Sequence, residues 1–188
     1  MGSQSSYTNE FQGDYYNGKM WNGKLKTYDD KTLIFEGQLL YGKKNGKGKE
    51  YYSNGNLEFE GNYSDDKKNG PGKEYYKYGT LKLKFEGNYS NDEKNGPGKE
   101  YNDNGKLEFE GNYSNDKKNG PGKEYHDNGN LKFEGNYSNG ERNGKGKEYH
   151  DNGKLKCDGE FIKEKKMDQS RNITRMANYN LKVYTQII

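Results

Sequence analysis

The fold is decided by residues 107–129, which read LEFEGNYSNDKKNGPGKEYHDNG. In the first half of this stretch, Leu107, Phe109 and Tyr113 fall on alternate positions, with charged or polar residues between them. An alternation with a period of two predicts a β-strand that has one apolar face. The second half predicts a returning strand over about 122–126, so the unit as a whole predicts a β-hairpin.

The same unit recurs along most of the chain. Its central glycine returns at intervals of 24, 24, 26, 24, 24 and 24 residues, at Gly13, Gly37, Gly61, Gly87, Gly111, Gly135 and Gly159. The long interval adds two residues within 80–85, and an insertion of two keeps each strand side chain on its own face, whereas an insertion of one would reverse it. The recurrence therefore predicts stacked hairpins that share one thin core.

Glycines and Asn-Gly pairs have separate predicted roles. Gly61 lies between Phe59 and Tyr63 on the apolar face, where the missing side chain lets a ring or a neighbouring backbone approach closely. Asn-Gly pairs such as 54–55 and 128–129 can supply the two positive φ angles that a type I′ turn requires. We therefore predict tight two-residue turns at the Asn-Gly pairs.

Composition and charge exclude several classes of protein. Only 27% of the residues are hydrophobic while 14% are aromatic, which favours a thin extended fold over a globule with a thick aliphatic core. The 32 basic residues are nearly balanced by 29 acidic ones, so no nucleic-acid partner is expected. The single Cys157 excludes an intrachain disulfide, and no apolar run is as long as a membrane span or a signal peptide. We expect a cytoplasmic protein, either free in the cytoplasm or bound at the cytoplasmic face of a membrane.

The repeat resembles a known family at three short motifs, Phe59-Glu60-Gly61-Asn62-Tyr63, Asn69-Gly70-Pro71-Gly72 and Tyr75-Tyr76. These motifs are similar to the MORN (membrane occupation and recognition nexus) repeat, and the similarity covers about residues 11–161. The chain departs from that family where Phe replaces the first Tyr, and where Asp66, Asp92 and Asp116 stand in place of loop glycines. The first and last units are irregular, which is usual at the ends of repeat arrays.

The resemblance implies an all-β fold: an elongated single-layer twisted sheet of about seven stacked β-hairpin repeats with a short C-terminal cap. We divide the chain into a flexible N-terminal segment at residues 1–10, the MORN repeat array at 11–161, and a capping or docking segment at 162–188. In the last segment glycine disappears and aliphatic residues return, so it either covers the last hairpin or inserts into another protein.

The resemblance also implies a function without catalysis. MORN arrays are protein-interaction and dimerisation modules, which implies a scaffold that binds a protein partner and can form a homodimer. A phospholipid-binding module is the second interpretation, because lipid binding has been proposed for the family. An antitoxin-like protein is the third, because the same repeat style occurs in some bacterial antitoxin-like proteins.

Two features predict contact with a membrane. The start Met1-Gly2-Ser3-Gln4-Ser5-Ser6 matches the N-myristoylation pattern with Gly2 as the acyl acceptor, although Met-Gly-Ser also begins many recombinant proteins. One myristoyl chain binds a membrane only marginally, so a second signal is needed. Loop lysines could provide this second membrane-binding signal as a basic stripe along one edge of the sheet, at Lys43, Lys44, Lys67, Lys68, Lys117 and Lys118. The alternative is a solvated edge that discourages aggregation, because neighbouring aspartates dilute the positive charge.

Two adjacent rows of residues are candidates for core and partner face. Tyrosines recur in register at Tyr51, Tyr75, Tyr101, Tyr125 and Tyr149, and we interpret this row as core, with a partner groove as the alternative. The following position varies between repeats, at Tyr52, Tyr76, Asn102, His126 and His150. If the tyrosine row faces inward, strand alternation turns the variable row outward and makes it the candidate face for a protein partner.

No arrangement of residues predicts catalysis. The glutamates are copies of one repeat, whereas acid–base catalysis needs two carboxylates in distinct environments. His126 and His150 are 24 residues apart and could stack, but two ligands are too few for a structural zinc site. We therefore predict no enzymatic activity, no cofactor and no metal.

Overall fold

The computed structural model describes residues 6–162, which form a single sheet of thirteen antiparallel strands. Each strand pairs with the strands before and after it in the sequence, so the sheet runs from β1 to β13 without a crossover. The strands are β1 Tyr7–Tyr16, β2 Lys19–Asp29, β3 Thr32–Leu40, β4 Lys43–Tyr51, β5 Leu57–Ser64, β6 Lys67–Tyr75, β7 Leu83–Ser90, β8 Glu93–Tyr101, β9 Leu107–Ser114, β10 Lys117–Tyr125, β11 Leu131–Ser138, β12 Glu141–Tyr149 and β13 Leu155–Phe161. The prediction of an all-β, single-layer array of hairpins is confirmed. Nowhere between residues 6 and 162 is there a helix long and apolar enough to cross a membrane.

Two kinds of connection alternate from β3 onward. Two-residue turns join β3 to β4, β5 to β6 and their equivalents, and both residues have positive φ, as at Asp65 (52°) and Asp66 (69°). Longer loops join β4 to β5 and their equivalents. The prediction of tight two-residue turns at the Asn-Gly pairs is confirmed at 17–18 and 139–140, where both residues have positive φ. It is wrong at 54–55 and 128–129, because these pairs lie in the longer loops and only their glycines have positive φ. In the other tight turns, short polar Asp and Asn side chains tolerate the left-handed backbone.

The long repeat interval is absorbed in a loop. The two extra residues between Gly61 and Gly87 lie in the connection from 76 to 82, between β6 and β7. Phe85 remains fully buried, and Gly87 pairs with Gly72 as the equivalent glycines do elsewhere. The strands keep their faces, but because the extra residues lie in a loop and not within a strand, the preference for an insertion of two over one stays a prediction.

One face of the sheet carries a continuous stack of rings, which we call the aromatic face. Its fully buried residues are Phe59, Phe85, Phe109 and Phe133, and its tyrosines, exposed by 4% or less, are Tyr63, Tyr89, Tyr113 and Tyr137. Each tyrosine meets two phenylalanines edge to face: the ring centroid of Tyr89 lies 5.3 Å from that of Phe59 and 5.6 Å from that of Phe85. Such a contact adds about 0.5–1.5 kcal/mol beyond burial, so the stack ties each repeat to the next.

Paired glycines let these rings lie against the backbone. Gly61 is opposite Gly72, and a Cβ atom on Gly61 would lie 2.5 Å from Cζ of Phe59 and 2.8 Å from Cα of Gly72. A side chain cannot fit there without displacing the ring or the neighbouring strand. The predicted close approach at the glycines is confirmed, and a row of glycines crosses the middle of the sheet.

Bulges change the residues that share a face. β10 begins at Lys117 rather than near residue 122. Opposite Asn112 this strand has a bulge, which accommodates the additional residues of β10. Gly120 lies in the bulge and has a φ of 86°. A second irregularity in the pairing of β8 with β9 places Leu107 opposite Tyr101. Leu107 does not join the buried ring cluster, so the prediction that it shares a face with the rings is wrong.

Polar side chains join successive repeats along both edges of the sheet. At the edge formed by the two-residue turns, the turn edge, Asp92 Oδ1 accepts a hydrogen bond from the backbone N–H of Lys68 at 2.8 Å. At the opposite edge, the loop edge, Asn128 Nδ2 donates to the carbonyl oxygen of Asp151 at 2.7 Å. Each hydrogen bond spans one repeat interval, so the edges reinforce the register that the rings impose.

Candidate functional site: a glycine-floored groove

The face opposite the aromatic rings carries a continuous groove with a volume of about 1550 Å³. Its floor is the glycine row, which includes Gly61 and Gly72, and its lining extends from Lys24 on β2 to Asp158 on β13. Strand alternation directs the side-chain positions of these glycines toward the aromatic face, so backbone forms the floor of the groove while the residues on either side stand up as walls. We call this feature the glycine groove.

One wall of the glycine groove alternates carboxylates with lysines, in the order Glu36, Lys49, Glu60, Lys73, Glu86, Lys99, Glu110, Lys123, Glu134 and Lys147. Neighbours on this wall are opposite each other in the strand ladders, as Glu60 is opposite Lys73. Cross-strand pairs of opposite charge stabilise a sheet by about 0.2–1 kcal/mol each. The wall therefore presents both signs of charge at regular intervals.

The tyrosine row supports this wall instead of joining the aromatic stack. Tyr75 is buried and the other four tyrosines of that row are partly buried, and each hydroxyl donates to a wall glutamate, at Tyr51, Tyr75, Tyr101, Tyr125 and Tyr149. The distance from Tyr101 Oη to Glu86 Oε1 is 2.8 Å. Burial and then the neighbouring carboxylate raise the pKa of Tyr101 to about 12, because both disfavour a tyrosinate. The row holds the carboxylates in fixed positions.

The other wall is mostly uncharged. It is built from Asn62, Asn88, Asn112 and Asn136, facing Pro71, Pro97 and Pro121. Asn62 Nδ2 donates to the carbonyl oxygen of Pro71 at 3.4 Å, a long contact that leaves the rest of the amide available. A side-chain amide both donates and accepts, so this wall can hydrogen-bond to a polypeptide backbone.

The charge of the groove is uneven along its length. Nine lysines and six carboxylates line it, and the end formed by β2–β4 carries Lys24, Lys26, Lys47 and Lys49 against the single carboxylate of Glu36. That end therefore attracts negative charge, while the wall further along is balanced. The volume exceeds the roughly 300–1,000 Å³ of typical small-molecule pockets, so the groove fits an elongated ligand.

Half of the predicted lysine edge lies on the aromatic face. Lys44, Lys68 and Lys118 each place Nζ 4.1 Å from the centroid of a buried phenylalanine ring. Lys44 Nζ also lies 2.9 Å from Glu50 Oε1. Burial alone would raise the pKa of Glu50, but Lys44 and Lys68 outweigh it and hold that pKa below its usual value. These lysines cover the rings and are not free to form a lipid-binding stripe.

The remaining predicted edge residues lie on the turn edge. Lys43, Lys67 and Lys117 are exposed there, and Lys43 Nζ lies 3.0 Å from Asp65 Oδ1. The equivalent positions in two other repeats hold Glu93 and Glu141. The exposed stripe therefore contains charges of both signs instead of being uniformly basic.

The predicted partner face lies on the loop edge, where Tyr52, Tyr76, Asn102, His126 and His150 follow the last residue of a strand. Tyr52 and Tyr76 donate their hydroxyls to backbone carbonyls of the next repeat at 2.9 and 2.7 Å, and His126 Nε2 lies 3.0 Å from another such carbonyl. Asn102 Oδ1 accepts from two backbone N–H groups of its own loop. Most of this row therefore stabilises the array, and its role in recognition stays a prediction.

Other predicted sites lie outside the described residues. The lipidation site Gly2 and the capping or docking segment, except Ile162, cannot be placed. From residue 6 to 162, no group of three His, Cys, Asp or Glu side chains could hold a metal ion. The absence of a cofactor and of catalysis stays a prediction.

Sequence reasoning did not find the glycine groove. It assigned the glycines to ring packing on one face and left the opposite side of the same row unconsidered. The signal is nevertheless present: each glycine is flanked by a charged residue on one side and by Asn, Pro, Lys or Gln on the other, as in Glu60-Gly61-Asn62. Strand alternation puts both neighbours on the face opposite the rings.

Comparison with protein families agrees with this architecture. The MORN repeat model matches residues 35–57 and 59–80, and the model of a MORN repeat variant matches 94–115, 118–139 and 142–163. Together these matches span more than half of the chain. The chain belongs to the MORN repeat family. No curated protein matches it.

The MORN matches begin at different points of the hairpin. The first starts at Phe35 on β3, whereas the variant matches start on β8, β10 and β12. A repeat without a unique starting strand is expected for a sheet in which every strand pairs equally with both neighbours. MORN repeats are generally modules for protein or membrane interaction and typically belong to non-enzymatic scaffolds.

Proposed function

We propose that this MORN protein is a non-enzymatic scaffold that holds a segment of a protein partner in the glycine groove. The observation that carries the proposal is the continuity of the groove across the sheet from β2 to β13. A catalytic pocket concentrates unlike groups in one enclosed place, whereas this groove repeats the same groups every repeat. A repeating surface suits an extended ligand with repeated contacts.

The chemistry of the walls favours a polypeptide. Asparagine amides along one wall can pair with backbone N–H and carbonyl groups, and the charged wall can pair with side chains of either sign. The four lysines at the β2–β4 end favour a segment with acidic residues at the end that lies there. Fixed wall carboxylates also reduce the entropy lost on binding, because their tyrosine partners already hold them.

The phospholipid alternative has weaker support. Three of its six lysines cover the aromatic face, and the exposed three share the turn edge with two glutamates. Acylation of Gly2 remains the route by which the scaffold would be tethered to a membrane. No observation favours the antitoxin-like alternative.

A peptide-display selection tests the groove. Peptides selected on the full chain should bind wild type in fluorescence anisotropy and lose at least about tenfold in affinity to K99E/K123E, which reverses two wall charges. The control variant is K117E on the turn edge, which should bind as wild type does. Circular dichroism would confirm that both variants are folded.

Two other outcomes would contradict the proposal. One is a set of peptides that binds both variants equally, which would move the binding site out of the groove. The other is flotation of the unacylated chain on vesicles of phosphatidylserine and phosphatidylcholine, abolished by K117E and not by K99E/K123E, which would favour the lipid-binding edge.

A further inference from the structure

We propose that two copies of this chain associate by pairing their first strands, β1 against β1, into one continuous antiparallel sheet. This inference concerns the end of the array and does not depend on the glycine groove binding a partner. It rests on the edge of the sheet, on the exposed rings of β1 and on the self-complementarity of its sequence.

β1 is an edge strand whose protection against pairing is limited to two charged residues, Glu10 and Asp14. It pairs with β2 on one side, and no strand of residues 6–162 pairs with its other side. Its ten residues contain no lysine and no proline, the residues that commonly block edge-to-edge pairing. The edge strand at the other end, β13, has seven residues and carries the exposed Lys156. The two edges of the sheet are therefore unequal, and β1 is the open one.

Exposed rings are concentrated on the same strand. Tyr7, Tyr15 and Tyr16 are 65%, 63% and 57% exposed, whereas the tyrosines of the aromatic stack are at most 4% exposed. Leu40 and Tyr41, near this end, are exposed as well. Tyrosine is enriched at protein interfaces because it buries a large area at a low entropic cost.

The ring stack is incomplete at β1. Within the array each tyrosine of the aromatic face meets two phenylalanines, as Tyr113 meets Phe85 at 5.3 Å and Phe109 at 5.5 Å. Tyr15 meets Phe11 at 5.1 Å in the same edge-to-face geometry, and that is its one ring contact in the part of the chain that the structure describes. In the array the second phenylalanine lies two strands away, as Phe85 on β7 does from Tyr113 on β9, and the open side of β1 offers Tyr15 no ring in the described residues.

A second copy supplies Tyr15 with a phenylalanine ring from the adjacent strand if the two strands pair symmetrically about Gly13. In this register Gly13 is opposite Gly13 of the second copy, which reproduces the glycine–glycine pairs between the strands of the array. Phe11 of each copy is then opposite Tyr15 of the other. Directly opposite aromatic residues form favourable cross-strand pairs, so each Tyr15 gains a ring contact on its open side, from the adjacent strand rather than from two strands away.

The charged residues of β1 favour the register centred on Gly13 over the registers centred on Gln12 or Phe11. Pairing about Gly13 places Gln12 opposite Asp14 and Glu10 opposite Tyr16, so no two like charges are directly opposite each other. Pairing about Gln12 would place Glu10 opposite Asp14 twice, and like charges directly opposite are destabilising. Pairing about Phe11 would separate the two glycines and place Gly13 opposite Asn9.

Sedimentation equilibrium of the full chain with reductant present tests the proposal. Wild type is expected to show a concentration-dependent mass between 21.7 kDa and twice that value. Gln12→Asp places a negative charge opposite Asp14 in two symmetric pairs, and should weaken dimerisation by roughly 2- to 30-fold. Gln12→Lys should strengthen it by a similar factor. The matched control is Glu160→Gln, a single charge change at an exposed position of β13, which should leave the dimer unchanged.

A double variant identifies the register. Gln12→Asp combined with Asp14→Lys places opposite charges across the Gly13-centred pair, so it should restore the dimerisation that Gln12→Asp weakens. Both positions are exposed in the single chain, so folding of the monomer is not at risk. A monomer at every concentration would overturn the proposal. So would a dimer that responds to Glu160→Gln and not to the β1 variants, or one that the double variant fails to restore.

Discussion

The two ends of this sheet differ from its middle, and the first three strands show the difference most clearly. In the array, Gly48 is opposite Gly61, and Tyr63 contacts the rings of two repeats. At the N-terminal end, Leu25 takes the place of such a glycine opposite Gly37, and Leu39 takes the place of the tyrosine. The first strands are therefore packed with aliphatic side chains at positions where the interior repeats have a glycine and a tyrosine.

The comparison teaches that each repeat is specified by its neighbours on both sides. Ring stacking, glycine pairs and the polar links of the two edges all connect one repeat to the next. Interior repeats should therefore unfold together, and substitutions at the ends should cost less than the same substitutions in the middle.

Alkaline titration should produce the largest effect, because it acts on the tyrosines throughout the array at once. Burial and then neighbouring glutamates raise the pKa of Tyr101 and Tyr125 to about 12, from an ordinary value of 10.0. A raised pKa stabilises the fold below pH 10, and that contribution is lost as the pH rises toward 12. We expect the sheet to unfold in this window, with tyrosinate absorbance and circular dichroism changing together. Tyrosinate formation without loss of the sheet would contradict the prediction.

Removal of a central ring should come next. Phe85→Ala opens a cavity at a fully buried position and should lower the free energy of unfolding by about 3–5 kcal/mol in urea denaturation. Phe11→Ala makes the same change at a partly buried ring on β1, and should cost less than about 2 kcal/mol. Equal losses would mean that the ends are as constrained as the middle.

Glycine substitutions should also distinguish the middle of the array from its ends, with a smaller loss in the free energy of unfolding. A Cβ atom on Gly111 would lie 2.6 Å from Cζ of Phe109 and 2.7 Å from Cα of Gly122, so Gly111→Ala should cost about 1–3 kcal/mol. Gly159, the equivalent glycine on β13, has open space around its Cβ position, because Cys157 takes the place of the ring. Gly159→Ala should leave the thermal midpoint nearly unchanged, and a comparable loss there would show that the glycines are required for another reason.

The smallest effect should come from the loop edge. Tyr76→Phe removes the hydroxyl that donates to the carbonyl oxygen of Tyr101 at 2.7 Å, and should cost about 0.5–1.5 kcal/mol. Tyr78→Phe alters a ring that is 76% exposed two residues later and serves as its control. If Tyr76→Phe instead left stability unchanged and weakened binding of a protein ligand, the recognition role predicted for this row would gain support.

The sequence predicted the parts of the fold that depend on period alone. Alternation at Phe109, Gly111 and Tyr113 placed these residues on one face. That prediction depends only on a strand having a period of two, which no tertiary contact alters. The interval of 26 did not locate its insertion, which lies in a loop rather than in a strand.

The errors arise where the period is broken. The bulge opposite Asn112 and the register shift beside Tyr101 each change the alternation by local backbone geometry, which composition does not reveal. They separate Leu107 from the rings and place the tyrosine row beside the groove wall. Lys43 and Lys44 are likewise adjacent in sequence, yet one is exposed on the turn edge and the other covers Phe35. The groove itself is formed by two rows of side chains across many strands, which a search for functional residues within one repeat does not detect.

The direction of the strands has a mechanical consequence. Each strand lies across the long axis of the array, so the hydrogen bonds between strands point along that axis. Tension applied to the two ends would load these ladders in series and separate them one at a time, rather than shear them together. Each opened repeat of 24 residues would release about 80 Å of chain. Under load, this protein should lengthen in equal steps at low force, as an extensible spacer does.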